Sequence, residues 1–155
     1  MDLQKQAKQN FKTLCDYLDE QNYKYKIEND NIVFSFFGND LTMELWFSID
    51  EKRALITLNS TMPYRIPRKA RNDIAFAVCA INWMLADGDF DFDYINGIIC
   101  FRITSVYRDS IISKKTFEYI IRTAASTVER FNDKLFYISQ GKMTLEELAR
   151  FMMED

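Results

Sequence analysis

The sequence of 155 residues has the length and composition of one globular domain, since 48% of its residues are hydrophobic and only 4 are Gly and 2 are Pro. Its formal net charge of −3 argues against a nucleic-acid partner, because dedicated nucleic-acid-binding domains carry a strongly basic face. The chain contains no histidine, which excludes Ser–His and Cys–His catalysis and removes the commonest metal ligand. We therefore expect no enzyme, no metal site and no cofactor.

The first 22 residues predict an amphipathic helix that starts at the amino terminus. Apolar residues recur at helical spacing from Leu3 to Leu18, and the helix is expected to end near Gln21. The segment lacks the apolar core of a secretory signal, so we expect a cytoplasmic protein that does not associate with a membrane. The three cysteines are odd in number and lie in apolar runs, which favours buried free thiols in a reducing compartment. They are Cys15, Cys79 and Cys100.

Four runs rich in β-branched and aromatic residues follow, within residues 23–28, 32–37, 41–49 and 53–59. Asn, Asp and Gly residues separate the runs, which predicts an antiparallel meander joined by short turns.

Pro67 predicts the start of a second helix, because its missing N–H has no partner in a first turn. This helix is expected to run from about Arg68 to Ala86 and to be closed by Asp87 and Gly88. Its second half is apolar on both sides, so both faces need a cover. We expect the sheet to cover the first face, and either another helix of this chain or a partner subunit to cover the second. The first face carries Ile74, Val78, Ile81 and Leu85, and the second, a candidate protein-binding surface, carries Phe76, Cys79, Ala80 and Trp83.

Four aspartates at every second residue, Asp87, Asp89, Asp91 and Asp93, resemble the ligands of a calcium loop. A calcium loop also needs Gly at its sixth position and Glu at its twelfth, and neither starting register supplies them. The alternation instead predicts an acid-faced strand at or near a sheet edge. Phe90, Phe92 and Tyr94 would share its other face, and Gly97 would turn the chain into a partner strand.

The remaining sequence predicts two more helices. Ser113 is a candidate cap for a long helix that Gly141 terminates. Thr144 and Glu147 then form a capping-box pattern for a short last helix. The pattern leaves open whether this last helix docks on its own domain or on a partner.

A basic cluster precedes the middle helix, and its four residues are the candidate anion-binding site: Arg65, Arg68, Lys69 and Arg71. Basic side chains and free N–H groups at a helix start can hold a phosphate or an acidic peptide. A solvated charged face is the commoner meaning of such a cluster. The sequence has no glycine-rich phosphate loop and no dinucleotide fingerprint.

The segment AINWMLADGDFDFDYINGIICFRI resembles the central signature of the YbjN family, the "putative bacterial sensory transduction regulators". The matching positions are Asn82, Gly88, Phe90, Asp93 and Gly97. The resemblance implies a fold like that of the type III secretion chaperones, which are often dimeric and bind extended client segments through apolar surface. It supplies no catalytic residue, and the family pattern does not require residues 140–155.

We therefore expect an α+β fold in which an antiparallel sheet of about five to six strands packs on helices, in the order α-β-β-β(-β)-α-β-β-α-α. Residues 1–155 are expected to form a single YbjN-like domain, with residues 140–155 as a C-terminal helical extension. The leading hypothesis is a non-enzymatic protein-binding module, chaperone-like or regulatory, that uses apolar helix and sheet-edge surfaces. Its partner would be a client, a regulatory protein or a second copy of the chain. The alternative is an anion- or small-ligand-responsive sensor that uses the basic cluster.

Overall fold

The computed structural model describes residues 2–154 and contains, within them, four α-helices and one six-stranded antiparallel sheet. Met1 and Asp155, the two ends of the expected domain, lie outside the described residues. The helices are α1 (Leu3–Glu20), α2 (Arg71–Met84), α3 (Lys114–Ser139) and α4 (Leu145–Met153). The strands are β1 (Tyr25–Glu28), β2 (Asn31–Phe37), β3 (Thr42–Asp50), β4 (Leu55–Thr61), β5 (Asp89–Asp93) and β6 (Ile98–Val106). The α+β prediction and its element order are confirmed.

The strand order in the sheet is β1-β2-β3-β4-β6-β5, so β5 is an edge strand as its acidic residues predicted. The tightest connection joins β1 to β2 through Asn29 and Asp30, both with positive φ angles. Asn and Asp tolerate this backbone conformation, which matches the twist of a two-residue hairpin.

One face of the sheet forms the core, because side chains alternate along each strand. In β3, Met43, Leu45 and Phe47 are buried, whereas Glu44 between them is exposed. Helices α1 and α3 pack on the core face, and the ring of Phe117 on α3 meets the ring of Phe47 edge-on at 5.9 Å. The arrangement leaves the opposite face of the sheet largely polar.

Helix α2 is shorter than predicted. A 3₁₀ turn over Arg68–Ala70 precedes it, and the helix ends at Met84 because Leu85 has an extended backbone with ψ 132°. The expectation that Asp87 and Gly88 close the helix is wrong. Gly88, with φ +75°, belongs instead to the connection that leads the chain into β5.

Helix α4 docks on its own chain, which decides an alternative that the sequence left open. Its residues Leu148 and Met152 are buried, and it packs against α2. The ring of Phe151 also meets the ring of Phe131 on α3 at a centroid distance of 6.1 Å. The predicted capping box of Thr144 and the predicted Ser113 cap are both confirmed.

Candidate functional site

The most exposed apolar surface on a helix is the α2 face, which we define as Phe76, Cys79, Ala80 and Trp83. These residues lie three or four positions apart, so they form one stripe along the helix. Phe76 is 67% exposed and Trp83 is 90% exposed, and both small residues between them are exposed. The predicted second apolar face of this helix is thus present at the protein surface.

The opposite side of α2 is buried in the core. It carries Ile74, Ala77, Val78 and Ile81, and it packs on β5, α3 and α4. The sheet therefore contacts this side of α2 mainly through its edge strand β5, and helices α3 and α4 supply the other main contacts. Neither α3 nor α4 covers the α2 face. Of the two covers that the sequence suggested, this excludes another helix of the same chain and leaves a partner subunit.

Two polar pairs border the α2 face. At its start, the Tyr94 hydroxyl donates to Asn72 Oδ1 at 2.9 Å. Beyond its end, the Tyr119 hydroxyl donates to Asp87 Oδ2, and this hydrogen bond raises the pKa of Tyr119. Met84, which is 47% exposed, extends the apolar stripe beside Trp83. The sequence did not single out Met84, because it lies within a continuous apolar run.

The side chain of Asn82 fastens α2 to the sheet. Its Nδ2 donates to the carbonyl of Phe90 at 3.0 Å, and its Oδ1 accepts from the N–H of Phe90 at 2.8 Å. Because Phe90 lies on the edge strand β5, these bonds occupy main-chain groups that would otherwise be open to another strand. The resemblance to the family signature singled out Asn82, but the sequence did not predict its bonds to Phe90.

The other signature residues also have structural roles. A side chain on Gly88 would collide with the ring of Phe101, and one on Gly97 would collide with the Ile66 carbonyl. Asp93 Oδ1 accepts from the N–H of Asn96 at 3.0 Å, and hydrogen bonds from Asn96 lower the pKa of Asp93. The signature builds the junction between α2 and the β5–β6 hairpin.

Among the other acidic residues of this segment, Asp87 and Asp91 each have a partner of their own. Asp91 forms a salt bridge with Arg102 at 3.1 Å, and no cluster of three or more metal-ligating side chains occurs among the described residues. Tyr94 lies one residue beyond β5, in the turn, but its ring still meets the ring of Phe92 edge-on at 6.1 Å.

Half of the basic cluster is engaged with the main chain. Arg71 Nη1 donates to the Ile95 carbonyl at 2.7 Å, and Arg65 Nη1 donates to the Asn96 carbonyl at 3.3 Å. Arg68 and Lys69 are exposed. Two of its four members therefore stabilise the β5–β6 turn. Anion binding by this cluster stays a prediction.

The expectation of buried thiols is wrong for Cys79. Cys15 and Cys100 are half-buried, and burial raises the pKa of both thiols, whereas Cys79 is exposed on the α2 face.

Across residues 2–154, no helix is both long and apolar enough to cross a membrane.

The YbjN family model, described as "Putative bacterial sensory transduction regulator", matches residues 10–136. The structure is similar to the crystal structure of YbjN from E. coli, described as "a putative transcription regulator", with a TM-score of 0.60 and 12% sequence identity. The likeness covers 79% of this chain and 91% of that chain, and at this identity it concerns the fold alone. No curated protein sequence matches the chain.

Proposed function

Because this chain belongs to the YbjN family of bacterial regulators, we propose that it is a non-enzymatic regulatory protein that acts by binding another protein through the α2 face. The observation that carries the proposal is the exposure of Phe76 and Trp83 on one stripe of a helix whose other side is buried. Large apolar side chains grouped at a surface mark interaction sites.

The composition of the α2 face suits a protein partner. Aromatic residues are frequent binding hot spots, and complete burial of one such side chain contributes about 1.5–3 kcal/mol. Cys79 and Ala80 are small, so a partner helix or strand can approach closely between Phe76 and Trp83. The polar Tyr–Asn and Tyr–Asp pairs at either end supply the hydrated rim that interfaces require.

The proposal includes a sheet-edge surface at β2. Strand β1 pairs with β2 only as far as Tyr25 and Phe34, so within the described residues no strand pairs with residues 35–37 on that side, although the Tyr23 ring stacks on the Phe36 ring. Phe37 is 80% exposed there. An extended client segment that adds to this edge would give the chaperone-like mode of binding. The opposite edge is less suited, because Asn82 already occupies the main-chain groups of Phe90.

The partner in this proposal is a client or regulatory protein, or a second copy of the chain, in the cytoplasm. The free thiols favour that compartment. The proposal treats residues 1–155 as one domain with residues 140–155 as its helical extension, and the docking of α4 on α2 supports it.

The test compares affinity capture by the wild-type protein, Trp83→Asp and Met153→Asp. Met153 is 84% exposed at the end of α4 and is the matched control for adding a charge to an exposed apolar site. We expect Trp83→Asp to lose the partner protein that the wild type captures, and Met153→Asp to retain it. The interaction is then rebuilt from purified components, where binding should slow the alkylation of Cys79.

Sedimentation of the purified protein alone identifies self-association. A concentration-dependent dimer that Trp83→Asp dissociates would make a second copy the partner. The proposal fails if Trp83→Asp, shown to be folded by circular dichroism, binds every captured chain as well as the wild-type protein does.

A further inference from the structure

A groove of about 440 Å³ lies between the β2–β3 turn, the segment after β4 and the C-terminal half of α3. Three rings line it, from Tyr64, Phe136 and Tyr137, and two carboxylates, Asp40 and Asp133, lie among the lining residues. We call it the aromatic groove. Its lining residues include no member of the α2 face and none of residues 35–37 at the β2 edge, so neither surface of the proposed function uses it.

The rings of the groove are held in place before any ligand binds. The Tyr64 hydroxyl donates to the Asn132 carbonyl of α3 at 2.7 Å, and burial raises the pKa of Tyr64, which keeps the phenol neutral. The Tyr64 and Phe136 rings are tilted at 58° with centroids 5.1 Å apart. Phe136 and Tyr137 are partly exposed, so their rings are accessible to a ligand.

The charges around the groove are negative. None of its lining residues is basic. The last turn of α3 contains no basic residue, and the Tyr137 carbonyl accepts from the N–H of Lys142, which follows the helix, at 2.8 Å. The Asp133 carboxylate pairs with Lys134 Nζ at 2.8 Å, and that ammonium lies over the Phe151 ring.

Asp40 supplies the negative charge of the groove that remains after Asp133 has paired with Lys134. Its carboxylate forms no salt bridge among the described residues, and its side chain is exposed at the groove. Its N–H donates to Glu129 Oε1 at 2.7 Å, which anchors the β2–β3 turn on α3 and holds Asp40 beside the rings.

We propose that the aromatic groove is a binding site for a small organic ammonium ion. Ring faces attract cations through their quadrupole, and the exposed Asp40 carboxylate adds charge complementarity. A volume of about 440 Å³ accommodates an ion of the size of choline with room for a longer amine. Anionic ligands are disfavoured by the same charges.

The test is a titration of the ¹⁵N-labelled protein with choline and with its neutral isostere 3,3-dimethyl-1-butanol, at constant ionic strength. We expect choline to give saturable shifts at the amides of Leu41, Tyr64, Phe136 and Tyr137, and to bind about tenfold more tightly than the alcohol. Equal affinities would show an apolar site and overturn the proposal. The absence of saturable shifts in the groove at about 100 mM choline would also overturn it.

Variants distinguish a ring-and-carboxylate site from unspecific binding. Tyr137→Leu and Asp40→Asn should each weaken choline binding about fivefold, since each removes one of the attractive groups. Tyr137→Phe keeps the ring and should bind as the wild-type protein does. Asp30→Asn, which removes an exposed charge in the distant β1–β2 turn, should also leave binding unchanged. Wild-type affinity in both Tyr137→Leu and Asp40→Asn would overturn the proposal.

Discussion

The Asn82 side chain pairs with Phe90 as a neighbouring β-strand would, since its amide accepts from the N–H and donates to the carbonyl of the same residue. The pair joins the exposed helix α2 to the edge strand β5. It therefore fixes the orientation of the α2 face and also closes part of the sheet edge. The most family-like segment of the sequence thus builds a support for the proposed interface.

Asn82→Ala should destabilise the protein by about 1–3 kcal/mol, because it leaves the partly buried N–H and carbonyl of Phe90 without partners. Urea unfolding followed by circular dichroism measures the change. Asn72→Ala, which removes only the exposed hydrogen bond from the Tyr94 hydroxyl to the same helix, is the control and should cost clearly less stability. Equal effects of the two substitutions would show that the Asn82 pair contributes nothing.

Gly97→Ala should cost more stability than Gly141→Ala, although both glycines have φ +70°. The unfavourable backbone conformation alone costs an alanine about 1–2 kcal/mol, and this cost is common to both sites. At Gly97 a Cβ would also collide with the Ile66 carbonyl, whereas nothing lies within 4 Å of a Cβ at Gly141. Urea midpoints compare the two variants, and a Gly141→Ala effect as large as that of Gly97→Ala would contradict the collision.

Arg71→Ala should be clearly destabilising, whereas Arg68→Ala should be nearly neutral. Arg71 is half-buried and donates to the Ile95 and Ile66 carbonyls, so its removal breaks two hydrogen bonds, leaves the part-buried Ile66 carbonyl without this donor and costs about 1–2 kcal/mol. Arg68 is exposed, and substitutions at such sites usually stay within about 0.5 kcal/mol. Thermal unfolding measures both variants.

The same measurement tests the anion-sensor alternative. Inorganic polyphosphate that raises the unfolding temperature of the wild type, but not that of Arg68→Ala, would favour that alternative.

The free energy of unfolding should fall as the pH rises above about 10, the usual pKa of tyrosine in an unfolded chain. Burial raises the pKa of Tyr64, so the folded protein retains this proton at a pH where the unfolded chain has released it. Proton release then favours unfolding, and stability decreases with pH. Urea unfolding between about pH 9 and 11 should give a steeper decline for wild type than for Tyr64→Phe. Parallel declines would show that Tyr64 does not contribute.

Cys79 should react with iodoacetamide before Cys15 and Cys100. It is exposed, whereas burial raises the pKa of the other two thiols and lowers their reactive thiolate fraction. Peptide mass spectrometry after brief labelling of the purified protein measures the order. Slow labelling of Cys79 that Trp83→Asp accelerates would show that the α2 face is already covered by a second copy.

Much of the fold could be predicted because its signals are local. The alternation of Phe90 and Phe92 with aspartates predicted a strand, and the Thr144–Glu147 spacing predicted a capping box. The stripe from Phe76 to Trp83 was visible for the same reason, since a helical face depends only on spacing. The end of α2 was not predictable, because the backbone at Leu85 responds to the path into β5.

By itself, the sequence determined the elements, the two apolar sides of α2 and the family, all of which follow from residues close together in the chain. The tertiary structure decided which apolar side is covered and where polar groups meet. Asn10 is an example: it lies on α1, yet its side chain is fully buried and accepts from the N–H of Ile112 at 2.7 Å, 102 residues away. The aromatic groove likewise joins residues from three separate segments. Such contacts depend on packing between distant elements, and no local spacing encodes them.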